Sequence, residues 1–182
     1  MVQYFCTIFF MNESLTLGLN SISGIYIWFD YLVIFCARFL PWVVGLTFIV
    51  DVVASHKRTV RPFLFSVLGL IFVVGVTGIL KALFSEARPF EALDGISPLF
   101  VYSDIGSFPS GHAFFFASLA IFGLTFHSRF TTFYVVSAFL IGVSRVIAGV
   151  HYVGDVFWGL ILGVLVTYIY ISFFKQGSWE AH

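Results

Sequence analysis

Charge is what this chain has least of. Nine Lys and Arg with nine Asp and Glu make up only 10% of its 182 residues, and they cancel to a formal net charge of zero. Without a positive excess there is no electrostatic footprint for a phosphate backbone, so no nucleic-acid partner is expected. Cysteine is equally scarce. Cys6 and Cys36 both lie in apolar surroundings, and their spacing fits neither a disulfide framework nor a thiolate metal site. Internal repeats and low-complexity runs are also missing. The chain reads as one domain over 1–182, with room for a compact helical bundle and none for a separate soluble domain of ordinary size.

Apolar residues are what it has in excess. They reach 60%, with a mean hydropathy of +1.03, which belongs to an integral membrane protein rather than a soluble domain. Apolar runs at 31–53, 63–84, 113–126, 130–148 and 156–174 are set against the roughly 17 to 25 residues that a helix needs to cross a bilayer. The expected fold is all-α, a membrane bundle of about five transmembrane helices. The third run is short unless its helix extends from Ser110 to His127, and the first contains Arg38 and Pro41. Arg38 admits two readings, each tolerable through snorkelling or an acidic partner: a charge within the span 31–53, or a reentrant or interfacial start with the span over about 40–55. Residues 1–10 are too short to cross and lack the pattern of a signal peptide, so an interfacial helix is expected within the amino-terminal segment 1–29. Met11-Asn12 also reads as a natural start. Trp28, Trp42 and Trp158 are expected at the membrane interfaces.

Positive residues set the orientation. His56, Lys57, Arg58 and Arg61 fall between the first two runs, Arg129 between the third and fourth, and Lys175 after the last. Those ends, and the carboxyl terminus, are expected on the cytoplasmic side. The loop 85–109, which carries Glu86, Glu91, Asp94 and Asp104, and the turn 149–154 then face the other way. Every remaining polar cluster lands with them: Lys81, Arg88-Pro89, Pro109-Ser110-Gly111-His112, and Ser144-Arg145 followed by His151 and Asp155.

Singly, each of these residues has a plain structural reading. Lys81, Arg88 or Arg145 reads as an interfacial anchor, His112 or His151 as a hydrogen-bonded structural histidine, and Asp155 as a charge at a helix amino terminus. As a set they suit phosphate-ester chemistry with a histidine nucleophile. His151 and Asp155 are four apart at a helix opening, so the carboxylate can accept from one ring nitrogen and leave the other to attack. The forks of Arg88 and Arg145 match phosphate oxygens, and Lys81 offers a point charge. Ser110 stands at a helix cap and Gly111 admits close backbone approach, which together make an anion cradle. Ser144 reads as a small residue at a helix contact, and Gly159-x3-Gly163 as close packing within the bundle. No grouping remains to hold a metal, so no metal or other cofactor is expected. The oligomeric state is left open.

The order K-x6-R-P at Lys81, P-S-G-H at Pro109 and S-R-x5-H-x3-D at Ser144 resembles the signature of the type 2 phosphatidic acid phosphatase (PAP2) superfamily, over roughly 70–174. That resemblance implies a catalytic core over 62–174 and a phosphohistidine intermediate at His151, oriented by Asp155. His112 would protonate the leaving oxygen and later activate water, while Lys81, Arg88 and Arg145 would bind the phosphate oxygens. The small five-span layout and the compact loop before Pro109 look like the bacterial undecaprenyl-diphosphatases of this superfamily. Undecaprenyl diphosphate is then the implied substrate, at the extracytoplasmic face of a bacterial plasma membrane. Some members of that branch carry Asp where this chain has Gly111. Two alternatives stand beside it: a phosphatase of another lipid phosphate (phosphatidylglycerophosphate, phosphatidic acid or lipid A phosphate), and a catalytically silent lipid-phosphate binding or transport protein.

Overall fold

The computed structural model describes residues 12–55, 61–100 and 106–174, all helix, turn and loop with no strand among them. Helix α1 covers 12–20. A long rod follows, built from α2 (Ile27–Ile34), one π-helical stretch (Phe35–Phe39) and α3 (Leu40–Ser55). Then come α4 (Arg61–Phe84), the short α5 (Pro89–Ala92), α6 (Gly111–Thr125), α7 (Thr131–Ile147) and α8 (Val153–Phe174). Residues 1–10, Met11, His56, Lys57, Arg58, Asp104 and Lys175, which carry several of the expectations above, lie outside the described residues.

Three of these helices are long and apolar enough to cross a membrane: the rod over Ile27–Ala54, the α4 region, and α8. The rod is continuous through Arg38, so the reentrant reading of the first run does not apply. Helices α6 and α7 have 15 and 17 residues, and at about 1.5 Å per residue α6 is well short of a hydrocarbon core of about 30 Å. It also stops earlier than the 110–127 span considered for it. Ser110 is its cap, and the chain turns at His127 with φ +52. The short length is tolerable because α6 is the interior helix, with Phe114, Leu119 and Phe122 almost fully buried. A helix enclosed by protein need not match the lipid thickness alone.

Its main partners are α8 and α7. Gly159 and Gly163 of α8 face α6 so closely that a methyl group on Gly159 would come 2.9 Å from the Ser110 carbonyl oxygen, and one on Gly163 would collide with that of Phe114. The Ser118 hydroxyl donates to the Gly163 carbonyl at 3.1 Å and to Phe114 at 2.9 Å, locking the register. The glycine pair is therefore an internal seam. Outward, Trp42, Leu83, Ile27, Phe173 and Phe174 are among the most exposed apolar side chains, as a lipid-facing surface requires.

Two polar networks fix the ends. At one end Asp51, only 6% exposed, accepts from the hydroxyls of Ser128 and Tyr134, which ties the rod to α7. At the other, α1 closes over the start of α8. Asn12 accepts from the Gly154 amide at 2.8 Å and Thr16 from the Val153 amide at 3.2 Å, satisfying donors that a helix start leaves open. Asn20 donates to the carbonyls of Ile147 and Ser97 and accepts from the Ser97 amide. Replacing Gly163 by Ala should cost about 1 to 3 kcal/mol through forced separation of α6 and α8. Its thermal midpoint in detergent should fall below that of Gly75→Ala, where an added methyl meets nothing within 4 Å; equal midpoints would contradict the seam.

Candidate active site

The bundle end that holds the turn between α7 and α8 gathers the polar residues. Gly149, with φ +75, reverses the chain after Ala148, and the turn brings His151 back beneath the first turn of α8. His151 is 1% and Asp155 2% exposed. The imidazole Nδ1 lies 3.3 Å from Asp155 Oδ2. That same oxygen accepts from the Tyr152 amide at 2.8 Å and from the Ser107 hydroxyl. With Nδ1 turned to a carboxylate held by two other donors, Nε2 is the nitrogen that faces the cations, 3.4 Å from Arg88 Nη1. Burial pushes the His151 imidazole down to about 4, while the hydrogen bond and charge of Asp155 pull it up and Arg145 and Arg88 push it down.

The cations are anchored by carbonyl oxygens. Arg88, 2% exposed, donates to Val150 O at 2.8 Å and Gly106 O at 3.0 Å, and Lys81 donates to the same Gly106 oxygen at 2.9 Å. The Arg88 amide is capped by Glu91 Oε2 at 3.0 Å, which starts α5 and sets the guanidinium's direction. Arg145, at the end of α7 and 1% exposed, donates to Ala37 O at 3.4 Å and lies with its Cζ 5.4 Å from the centre of the Phe100 ring. Each buried charge is thus held by backbone oxygen, as burial demands.

Ser110 caps α6 without using its side chain, and its buried hydroxyl has no hydrogen-bond partner among the described residues. Gly111 is the first residue of α6, whose leading amides have no intrahelical acceptor. His112 follows in the same first turn, which Lys81 flanks, its Cε 3.7 Å from where a methyl group on Gly111 would stand. All eight residues singled out by sequence therefore meet at one end of the bundle. Ser144 instead donates to Ile141 O at 2.7 Å, a helix-internal contact. Among the described residues, no three His, Cys, Asp or Glu side chains come together in a metal-ligand group.

Several contributors escaped the sequence reading. Gly106 joins Lys81 to Arg88 through one carbonyl oxygen, and Ser107 holds Asp155; their position directly ahead of the P-S-G-H block was the available signal. Asn12, Thr16 and Asn20, four apart in turn, form a polar stripe on α1 that helical spacing exposes. Beside the histidine end, a cavity of about 510 Å³ opens between the rod, α4 and α6, lined by Arg38, Trp42, Leu46, Gly111, His112 and Phe116 among others.

Comparison with known proteins places the chain. A sequence model of the PAP2 superfamily matches residues 62–179. The bacitracin transport permease protein BcrC of Bacillus licheniformis is 28% identical over 147 residues, 81% of this chain and 72% of that one. A lipid A 1-phosphatase of Rhizobium johnstonii is 36% identical over 107 residues, 52% of this chain; the match covers 42% of that longer relative. Among solved structures, LpxE of Aquifex aeolicus superposes with a TM-score of 0.73 at 25% identity, over 89% of this chain and 95% of that one. A transmembrane PAP2-type phosphatidylglycerolphosphate phosphatase from Bacillus subtilis superposes at 0.74 over 96% and 90%, and at 22% identity it shows the fold alone.

The depressed basicity of His151 has a direct readout. In ¹⁵N-histidine spectra of the lipid-free protein, the His151 ring should still be neutral at about pH 5.5, where an ordinary histidine, titrating near 6.5, is mostly protonated. The signal is assigned by its loss in His151→Ala. Titration at 6.5 or above would contradict the burial argument.

Proposed function

We propose that this chain, which belongs to the PAP2 superfamily of membrane lipid phosphatases, hydrolyses undecaprenyl diphosphate to undecaprenyl phosphate and orthophosphate. The observation that carries the phosphatase chemistry is the His151 geometry, with Nδ1 on Asp155 and Nε2 turned toward Arg88, and the choice of lipid rests on the resemblance of the sequence to the undecaprenyl-diphosphatases. In the first step Nε2 bonds to the terminal phosphorus while the bridging P–O bond breaks, and His112 gives its proton to the leaving oxygen. In the second, water attacks the phosphohistidine, the P–N bond breaks, and His112 takes the water's proton. Asp155 holds the ring tautomer and stabilises the imidazolium that forms. Lys81, Arg88, Arg145, the Ser110 hydroxyl and the Gly111 amide bind the transferring oxygens.

No metal enters this scheme, because three fixed cations supply the charge stabilisation that phosphoryl transfer needs. The core is assigned to 62–174 within a single unit over 1–182. The site faces the extracytoplasmic side, since Arg61 and Arg129 mark the opposite end of the bundle and positive charge is retained in the cytoplasm. A methyl group at Gly111 would sit 3.7 Å from Lys81 Cε, in ordinary contact. An Asp there, as in some undecaprenyl-diphosphatases, would bring its carboxylate toward that lysine and compete with phosphate for it.

The lipid A 1-phosphatase relatives favour a second reading, dephosphorylation of another lipid phosphate. Phosphate release at matched surface concentration decides between them: a lipid monophosphate preferred about tenfold over undecaprenyl diphosphate, some 1.4 kcal/mol, reverses the assignment. The Bacillus licheniformis relative is named as a bacitracin transport permease protein, and a third reading, lipid-phosphate binding or transport without turnover, is tested alongside. The phosphatase reading predicts acid-quenched protein labelled by ³²P from a terminally labelled diphosphate, with labelling and turnover both lost in His151→Ala. Asp155→Asn should still bind lipid while kcat falls by about 10²- to 10⁴-fold. Lipid binding with no labelled His151 in the wild type would support transport instead. Turnover should also persist in chelator; loss of activity restored by zinc or magnesium would contradict the metal-independent scheme.

A further inference from the structure

One cation near the site has no part in the scheme above. Arg38 sits inside the apolar rod, on the π-helical stretch Phe35–Phe39. An ionisable side chain in a membrane helix is expensive and calls for a partner, and π turns inside α-helices recur at functional sites. The neighbouring residue already touches the machinery, because the Ala37 carbonyl receives Arg145 Nη1. Arg38 itself lies with Cζ 5.5 Å from the centre of the Phe100 ring, the ring that also carries Arg145 at 5.4 Å. Arg38 therefore brings a second positive charge to the aromatic ring beside the site, and an anion bound near it would lower the cost of holding that charge in an apolar rod. Arg38 also shares the wall of the 510 Å³ cavity with His112 and Gly111.

The direction of the reaction then assigns the anion. If the terminal phosphate is at His151 and His112 protonates the leaving oxygen, the leaving group lies next to His112, on the cavity side. For a lipid monophosphate that group is an uncharged alcohol. For a lipid diphosphate it is the inner phosphate, which carries charge. We infer that Arg38 forms a second phosphate subsite, binding the inner phosphate of a lipid diphosphate while the chain lies along Trp42, Leu46 and Phe116. A second apolar cavity of about 340 Å³ shares Ile49, Val74 and Phe115 with the first, so the same groove continues between the rod and α4. Inner-phosphate binding makes Arg38 the residue that separates diphosphates from monophosphates, and the inference rests on the phosphatase reading above.

The test compares a polyprenyl diphosphate with the monophosphate of the same chain, in one detergent, using the full-length protein. Arg38→Met keeps the apolar stem of the side chain, and Arg38→Lys keeps the charge without the fork. Arg38→Met should lower kcat/KM for the diphosphate about tenfold or more, while the monophosphate changes by less than about threefold. Arg38→Lys should recover part of the loss. Inhibition by orthophosphate, which needs only the motif cations, should stay within about threefold of wild type and reports an intact site. Equal losses on both lipids, weakened orthophosphate inhibition, or no loss at all would overturn the subsite and leave Arg38 as a structural or headgroup anchor. A wild-type protein that turns over monophosphates but no diphosphate would end the substrate reading itself, and that failure is visible before any variant is made.

Discussion

The structure depends on the difficulty of keeping positive charge inside an apolar bundle. Arg88, Arg145 and Lys81 are buried to 7% exposure or less, where an unmet ionised donor is strongly disfavoured. Backbone oxygens meet part of that need: Gly106 for Lys81 and Arg88, Val150 for Arg88, and Ala37 for Arg145. Those oxygens come from two loops and from the π turn of the rod. The loops are consequently part of the solvation of the charges, and their conformation and the positions of the cations are one problem. A ligand whose oxygens add to these contacts meets cations that are already desolvated and fixed in direction, which is what a preorganised phosphate site requires.

The scaffold serves that arrangement. Glycines at 159 and 163 let α8 approach α6 closely, which brings the start of one helix, with Asp155, beside the start of the other, with Ser110. A hydrogen bond from the Ser110 amide to the Asp155 carbonyl at 3.0 Å joins the two starts. Asn12 and Thr16 of α1 complete the opening of α8 from outside. His151 is thus set by a turn whose two sides are both fixed, one by α1 and one by Ser107 and Asp155. Apolar packing supplies the rest, with Phe116, Phe122, Tyr134 and Tyr170 filling the interior.

Much of this was legible in the sequence because hydropathy and motif order are both local signals. The helix positions followed from apolar runs, and the eight candidate residues came from three short blocks whose spacing puts them at helix ends, where the fold brings them to one end of the bundle. What was not legible depends on separation along the chain. Asn12 and Gly154 lie 142 positions apart, and Asn20 and Ile147 lie 127 apart, so no window reveals that α1 caps α8. The burial of Asp51 among Ser128 and Tyr134 is hidden for the same reason. Arg38 was visible as an anomaly, but only the folded rod shows that it shares an aromatic ring with Arg145 and a cavity with His112. The early stop of α6 at Thr125 follows from the left-handed turn at His127, which apolar composition does not encode.

The central claim is that phosphorus meets His151 Nε2 within a cradle of Lys81, Arg88, Arg145 and the start of α6. The most direct measurement is a structure of the protein with vanadate, which adopts the geometry of phosphoryl transfer. The account predicts vanadium within bonding distance of His151 Nε2, its equatorial oxygens on the two arginines, the lysine and Ser110, and His112 against the apical oxygen opposite. Vanadate bonded to His112 instead, or held away from both histidines, would contradict it.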